Sequence, residues 1–164
     1  MDEREQTFEL GEATVSLPAP ADAEFAEPEG LNEGTRHLTW PAASGAFFMV
    51  SGGTSAGHTP EGMLRGEDLE VESDEPAPLA GPGARRIAFR VTKRRPRELE
   101  ATPDGEQTVP AREVRQLSDL LFVPGERQHL RIGYRVEEGA PEEVRALLAR
   151  MLDRVAVRRH DAAG

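Results

Sequence analysis

The chain has 164 residues, of which 37% are hydrophobic, and it carries 30 acids against 20 bases for a formal net charge of −10. That length fits one domain with a small core, and the acidic balance disfavours nonspecific binding to nucleic acid or to an anionic membrane. Cysteine is absent, which excludes a disulfide framework, thiolate metal sites and a cysteine nucleophile together.

The opening residues Met1 to Gln6 are acidic and are followed by no apolar leader core, and no apolar run approaches bilayer-spanning length, so a cytoplasmic protein is expected. Phe8–Leu17 alternates on both sides of Gly11-Glu12, which predicts an N-terminal hairpin that closes at Pro18. Pro18–Gly34 reads as a surface loop anchored by Phe25 and Leu31. Leu38–Trp40 and Ala46–Val50 read as two strands, and the unbroken apolar character of the second fits burial on both faces. Thr59-Pro60-Glu61 has the form of a helix start, so a short helix is expected over Pro60–Leu69.

Glu72–Gly83 reads as a linker. Arg86–Thr92 alternates, with Ile87, Phe89 and Val91 on one face and Arg86, Ala88, Arg90 and Thr92 on the other. Arg94–Pro110 reads as a mobile hairpin loop or an insertion around its Pro-Asp-Gly turn. Strands are expected at Glu113–Val123 and Gln128–Val136, joined by Pro124–Arg127. In the second of these, Leu130, Ile132, Tyr134 and Val136 share one face, and His129, Arg131, Gly133 and Arg135 the other. Last comes Pro141–Val155, where Val144, Leu147, Leu148, Met151, Leu152 and Val155 form the stripe of an amphipathic helix. Residues 1–157 are expected to form one domain, with 158–164 a disordered tail.

Charge is unevenly distributed. Ten acids and one arginine lie between Met1 and Gly34, seven more acids lie between Glu61 and Glu75, and seven bases with no acid lie between Arg85 and Arg97. The basic residues Arg86, Arg90, Lys93, Arg94, Arg95 and Arg97 are the candidate binding site, for a protein partner with an acidic surface, because guanidinium forks suit carboxylates. Intramolecular neutralisation by the acidic runs is the competing reading. Aromatic platforms for single-stranded nucleic acid are missing beside them, so no nucleic acid partner is expected.

Gly52–Thr59 reads G-x-x-x-x-G-H-T, one residue from the phosphate-cradling P-loop. His58 replaces the lysine that would reach the phosphates, and the hairpin signals favour antiparallel pairing over a parallel βαβ core, so no nucleotide site is expected. Gly53–Gly57 matches the letters of a hydrolase nucleophile elbow around Ser55, but the chain is too short for that fold. His37, His58, His129 and His160 are scattered singly, unlike zinc ligands. No metal, cofactor or catalytic residue is implied.

The opening Val15-Ser-Leu-Pro18 after a first strand, and the closing helix Arg150–Val155 after a strand hairpin, resemble the PsbP-like superfamily, which includes the Mog and DcrB-like groups. The resemblance spans about Phe8 to Val157 and implies an α+β fold, an antiparallel sheet flanked by helices with the long C-terminal helix packed on it. It also implies noncatalytic adaptor or assembly work, as an accessory of a bacterial secretion system or AAA-type ATPase. A carrier of a small apolar ligand, with a cavity under Tyr134 and Leu148, is the alternative. A hydrolase using Ser55 or His58 is the third reading.

Overall fold

Period-two alternation becomes strand in the computed structural model, whose described residues are 3–10, 13–25, 36–38, 46–53, 59–64, 68–95, 98–102 and 105–159. Strands β1 (Glu3–Leu10) and β2 (Ala13–Pro20) form the expected N-terminal hairpin, with Leu10 opposite Ala13, and β2 runs on through Pro18 to Pro20. Next come β3 (Arg36–Leu38), β4 (Ala46–Gly53), the single-turn helix α1 (Pro60–Met63) and β5 (Leu69–Pro76). A 3-10 turn over Pro78–Ala80 leads into β6 (Arg85–Arg95), followed by β7 (Glu98–Thr102) and β8 (Gly105–Val109). The chain then forms β9 (Arg112–Val123), β10 (His129–Glu137), helix α2 (Glu142–Asp153) and β11 (Ala156–Arg159).

Three sheets result, with strand orders β1-β2-β11, β3-β4-β10-β9-β6-β5 and β7-β8. Every pairing among the described strands is antiparallel. This corrects the expected α+β architecture. The chain is mostly β, and α2 is the one helix of more than a single turn among the described residues, so no helical layers flank the sheet. Three stretches carry the difference. Glu72–Gly83, read as a linker, supplies most of the edge strand β5, and the loop expected over Arg94–Pro110 contains the β7-β8 ribbon. The chain past Val155 forms β11, which pairs with β2 and includes Arg158 and Arg159, two residues placed in the tail. The helix expected over Pro60–Leu69 is only one turn long.

The inner face of the six-stranded sheet and the three-stranded sheet share one apolar core. Val15, Leu17, Phe48, Val50, Ile132 and Leu148 are among its fully buried members. Helix α2 touches β2, β4 and β10 and buries Val144, Leu147, Leu148, Met151 and Leu152 there. Glu142 and Glu143 sit in its first turn and Arg150 in its last, which suits the helix dipole. Arg150 and Arg154 both reach Glu3 on β1, at 3.1 and 3.3 Å. From β11, Arg159 donates hydrogen bonds to the carbonyls of Val123, Pro124 and Gln128 at 3.0, 3.1 and 3.2 Å, joining the small sheet to the β9–β10 turn.

Neighbouring strands need not share a phase. On β10 the residues Leu130, Ile132, Tyr134 and Val136 face the core, so Arg131, Gly133 and Arg135 face outward. On β6 the phase is reversed: Ile87 and Phe89 face outward into a second cluster with Leu120 and Phe122, while Arg86 faces inward. Strand β4 was expected to be buried on both faces. It instead alternates, with Ala46, Phe48 and Val50 buried and Phe47 and Met49 half-buried on the outer face.

Candidate functional site

Strand pairing decides what the basic stretch faces. The acid-rich β5 pairs along β6, setting Glu70 opposite Arg90, Asp74 opposite Ile87 and Glu75 opposite Arg86. Arg86 donates from Nε and Nη2 to both carboxylate oxygens of Asp119 on β9, at 3.1 and 3.0 Å, and from Nη1 to Asp153 at the end of α2. The hydrogen bonds to Asp119, ahead of those to Asp153, hold its guanidinium well above the ordinary arginine pKa. Arg90 meets Glu72 at 3.1 Å and Arg94 meets Glu113 at 3.6 Å. Arg85 lies between Asp74 and Glu61. Lys93 is exposed. Arg95 closes β6, and Arg97 lies outside the described residues. Four arginines between Arg85 and Arg94 thus face carboxylates of their own chain.

The glycine-rich stretch divides at Gly53. Gly52 and Gly53 end β4, between the antiparallel neighbours β3 and β10, so the strand that would deliver a phosphate loop lacks a parallel partner among the described strands. Ser55 and His58 lie outside the described residues, as does His160. Thr59, Pro60 and Glu61 instead line a cleft of about 240 Å³ with Arg85, Phe122 and His129. Its arginine is already engaged by Glu61 and Asp74. Among the described residues no group of three or more His, Asp and Glu side chains could hold a metal ion. Tyr134 and Leu148, under which the alternative carrier reading would place a cavity, are both packed in the main core. Burial, ahead of the nearby Asp119, raises the Tyr134 phenol above its ordinary pKa.

A second cleft, of about 400 Å³, opens between the 3-10 turn and the end of α2, lined by Pro76, Leu79, Leu121, Leu152 and Val155, with Arg86 and Asp153 at its rim. Leu79 is 104% exposed. The turn that carries it is cross-braced: Ala80 N–H donates to Ala77 O at 3.0 Å, Gly81 N–H to Pro78 O at 3.2 Å, and Ala77 N–H to Ala84 O at 2.8 Å. Gly83, at φ 74°, allows the chain to double back there. In the sequence this leucine sits in Pro- and Ala-rich surroundings indistinguishable from a linker. Only the Pro76 and Pro78 flanks hint at a stiff presentation.

On the outer face of β10, Arg131 and Arg135 flank Gly133. A Cβ at Gly133 would stand 2.3 Å from both the Asp119 carbonyl oxygen and Leu120 Cδ2, so β9 presses on the strand where the face has no side chain. Arg135 donates from Nε to Ser118 Oγ at 2.9 Å and lies 5.9 Å from the centroid of the Phe47 ring. Arg131 approaches Met49 Sδ at 3.7 Å. Burial lowers the pKa of both guanidinium groups, and for Arg131 the positive charge of Arg135 lowers it further. The sequence signal for this pair is two arginines four apart on one face of an alternating strand, with glycine between them.

No protein-family model matches the sequence, and no curated protein matches it either. A solved protein of Bacteroides thetaiotaomicron VPI-5482 is similar over 92% of this chain and 46% of its own length, with 10% sequence identity and a TM-score of 0.43. The chain therefore spans less than half the length of that protein. Among the described residues no helix is long and apolar enough to cross a membrane.

Proposed function

We propose that the protein is a noncatalytic docking module of a bacterial cytoplasmic assembly, and that it receives an apolar side chain of a protein partner in the cleft beside Leu79. The observation that carries the reading is Leu79 itself, fully exposed on a braced turn at the mouth of a cleft lined by Leu121, Leu152 and Val155. A single exposed leucine is ordinary on a protein surface. One held on a proline-flanked, hydrogen-bonded turn next to an apolar recess loses little entropy on contact and has a place for the partner's own anchor. This shifts the contact surface from Arg86, Arg90 and Arg94 of β6, which meet carboxylates within the chain.

Replacing Leu79 with a photo-cross-linking amino acid in the source cells should give one discrete heteromeric adduct. The same group at Glu143, near the opposite end of α2, should not. Leu79→Glu should abolish binding of the partner so identified and leave the unfolding free energy from urea denaturation within about 0.5 kcal/mol of wild type, since Leu79 buries nothing. Equal labelling from both positions, or an adduct made only of two copies of this chain, would defeat the reading.

A further inference from the structure

We propose that the outer face of β10 is a binding site for a small oxyanion, a carboxylate or phosphate group, held by the Nη edge of Arg135 beside Ser118 and Arg131. The site is independent of the cleft at Leu79. Its shape follows from register. Arg135 stands opposite Phe47 on β4 and Ser118 on β9, Gly133 opposite Met49 and Leu120, and Arg131 opposite Ser51 and Phe122. Gly133 contributes no side chain and Leu120 leans into the space that one would fill, so the two arginines stand on either side of Leu120, about 13 Å apart along the strand for four residues.

Two observations point to an anion. First, Arg135 uses Nε on Ser118 Oγ, which fixes the guanidinium plane and leaves the two Nη groups, the end-on fork that binds a carboxylate or phosphate through two hydrogen bonds. Second, no carboxylate of the described residues pairs with Arg135. Its partners are Ser118 and the Phe47 ring, although Glu137 follows one step along the same face. In a chain with 30 acids, Arg85, Arg86, Arg90, Arg94, Arg150 and Arg154 all have one.

Burial already disfavours the charge on Arg135 and Arg131, and like-charge repulsion adds to it at Arg131. An arriving anion relieves both. The overall negative charge of the protein opposes any anion, so local attraction has to supply the affinity, and binding should weaken with added salt.

The test uses the full chain at low ionic strength, titrated separately with inorganic phosphate and with acetate. The Nε–Hε signal of Arg135 in an arginine-selective NMR spectrum, assigned by its loss in Arg135→Lys, should shift saturably. Calorimetry should show Arg135→Met weakening phosphate binding by about tenfold or more, and Ser118→Ala by about threefold, while Arg94→Met, on an exposed pair, leaves it unchanged. Saturation by both anions supports the full class, and saturation by phosphate alone supports the site for phosphate. A linear, nonsaturating shift in the wild-type protein overturns the proposal, and so does an Arg135→Met protein that binds as wild type does. Because the NMR titration is read on the wild-type chain, a variant that fails to fold leaves the proposal decidable.

Discussion

Strands β6 and β10 lie one strand apart in the same sheet, both carry arginines, and they treat them oppositely. On β6 the apolar phase turns outward, so Arg86 points toward the core side, where Asp119 and Asp153 meet it, and Arg90 meets Glu72 near the bulge of β5. On β10 the apolar phase turns inward under α2, and Arg131 and Arg135 are left on the outer face among Ser, Gly, Met and Phe side chains. Charge compensation here depends on both neighbour and phase. Arg85 and Arg90 take carboxylates from β5, which β10 does not adjoin, whereas Arg86 meets Asp119 on the inner face of β9, the face opposite to that of Arg131 and Arg135.

The largest expected effect comes from uncovering the inner side of β10. Leu148 is 0% exposed and packs from α2 into the main core, so Leu148→Ala should cost about 3–5 kcal/mol in urea denaturation. A loss under about 1 kcal/mol would mean that α2 is not what closes this face. Next is the pair that holds the inward arginine. Asp119→Ala removes both oxygens that take the Arg86 fork and leaves only Asp153, so a loss of about 2–3 kcal/mol is expected, with the denaturant slope unchanged. If the loss stays below about 0.5 kcal/mol, solvent already satisfies Arg86, and the contrast between the two strands is one of geometry alone.

How far the sequence leads depends on the same phases. The alternation of β6, β9 and β10 and the stripe of α2 are legible because each writes its own period into the chain. Strand β5 is not. Leu69–Pro76 is nearly all exposed and rich in Glu and Asp, and it takes strand form by pairing with the basic β6, a partner that no local pattern announces. Strand β11, four residues with one apolar side chain of any length, is ordered by hydrogen bonding to β2 at the other end of the chain. Undercounting such edge strands is what turned a mostly β protein into an expected α+β one. The basic cluster was visible as composition, and neutralisation by the acidic runs was one of its two readings; which acid meets which arginine is set by strand pairing and was not legible.

A third variant separates the arginines directly. Arg135→Met exchanges a half-buried guanidinium, held by one neutral hydroxyl and an aromatic ring, for an apolar side chain that can fill much of the same space. Stability should change by no more than about 1 kcal/mol in either direction, because no buried carboxylate is stranded. Arg86→Met strands Asp119 and should approach the loss given above for Asp119→Ala. Equal costs for Arg135→Met and Arg86→Met would erase the distinction between the strands.

The smallest effect lies on the outer face at the β5 edge, where Arg85, unlike Arg135, does have carboxylates. The Arg85 hydrogen bonds, opposed by slight burial, hold the Asp74 carboxyl below its ordinary pKa. A carboxyl depressed in the folded state stabilises the fold above its unfolded pKa, about 3.9, and that contribution fades as pH falls through the folded value. With the two side chains 34% and 37% exposed, water screens the pair, and the contribution should stay below about 1 kcal/mol. Asp74→Asn should therefore be slightly less stable than wild type at about pH 7, and the gap should narrow progressively as the pH is lowered below about 3.9. A gap that persists at low pH would assign the loss to packing or hydrogen bonding of the side chain. No gap at any pH would mean that Glu61, at 3.0 Å, already suffices for Arg85, so that one carboxylate is all an outward arginine of this sheet requires.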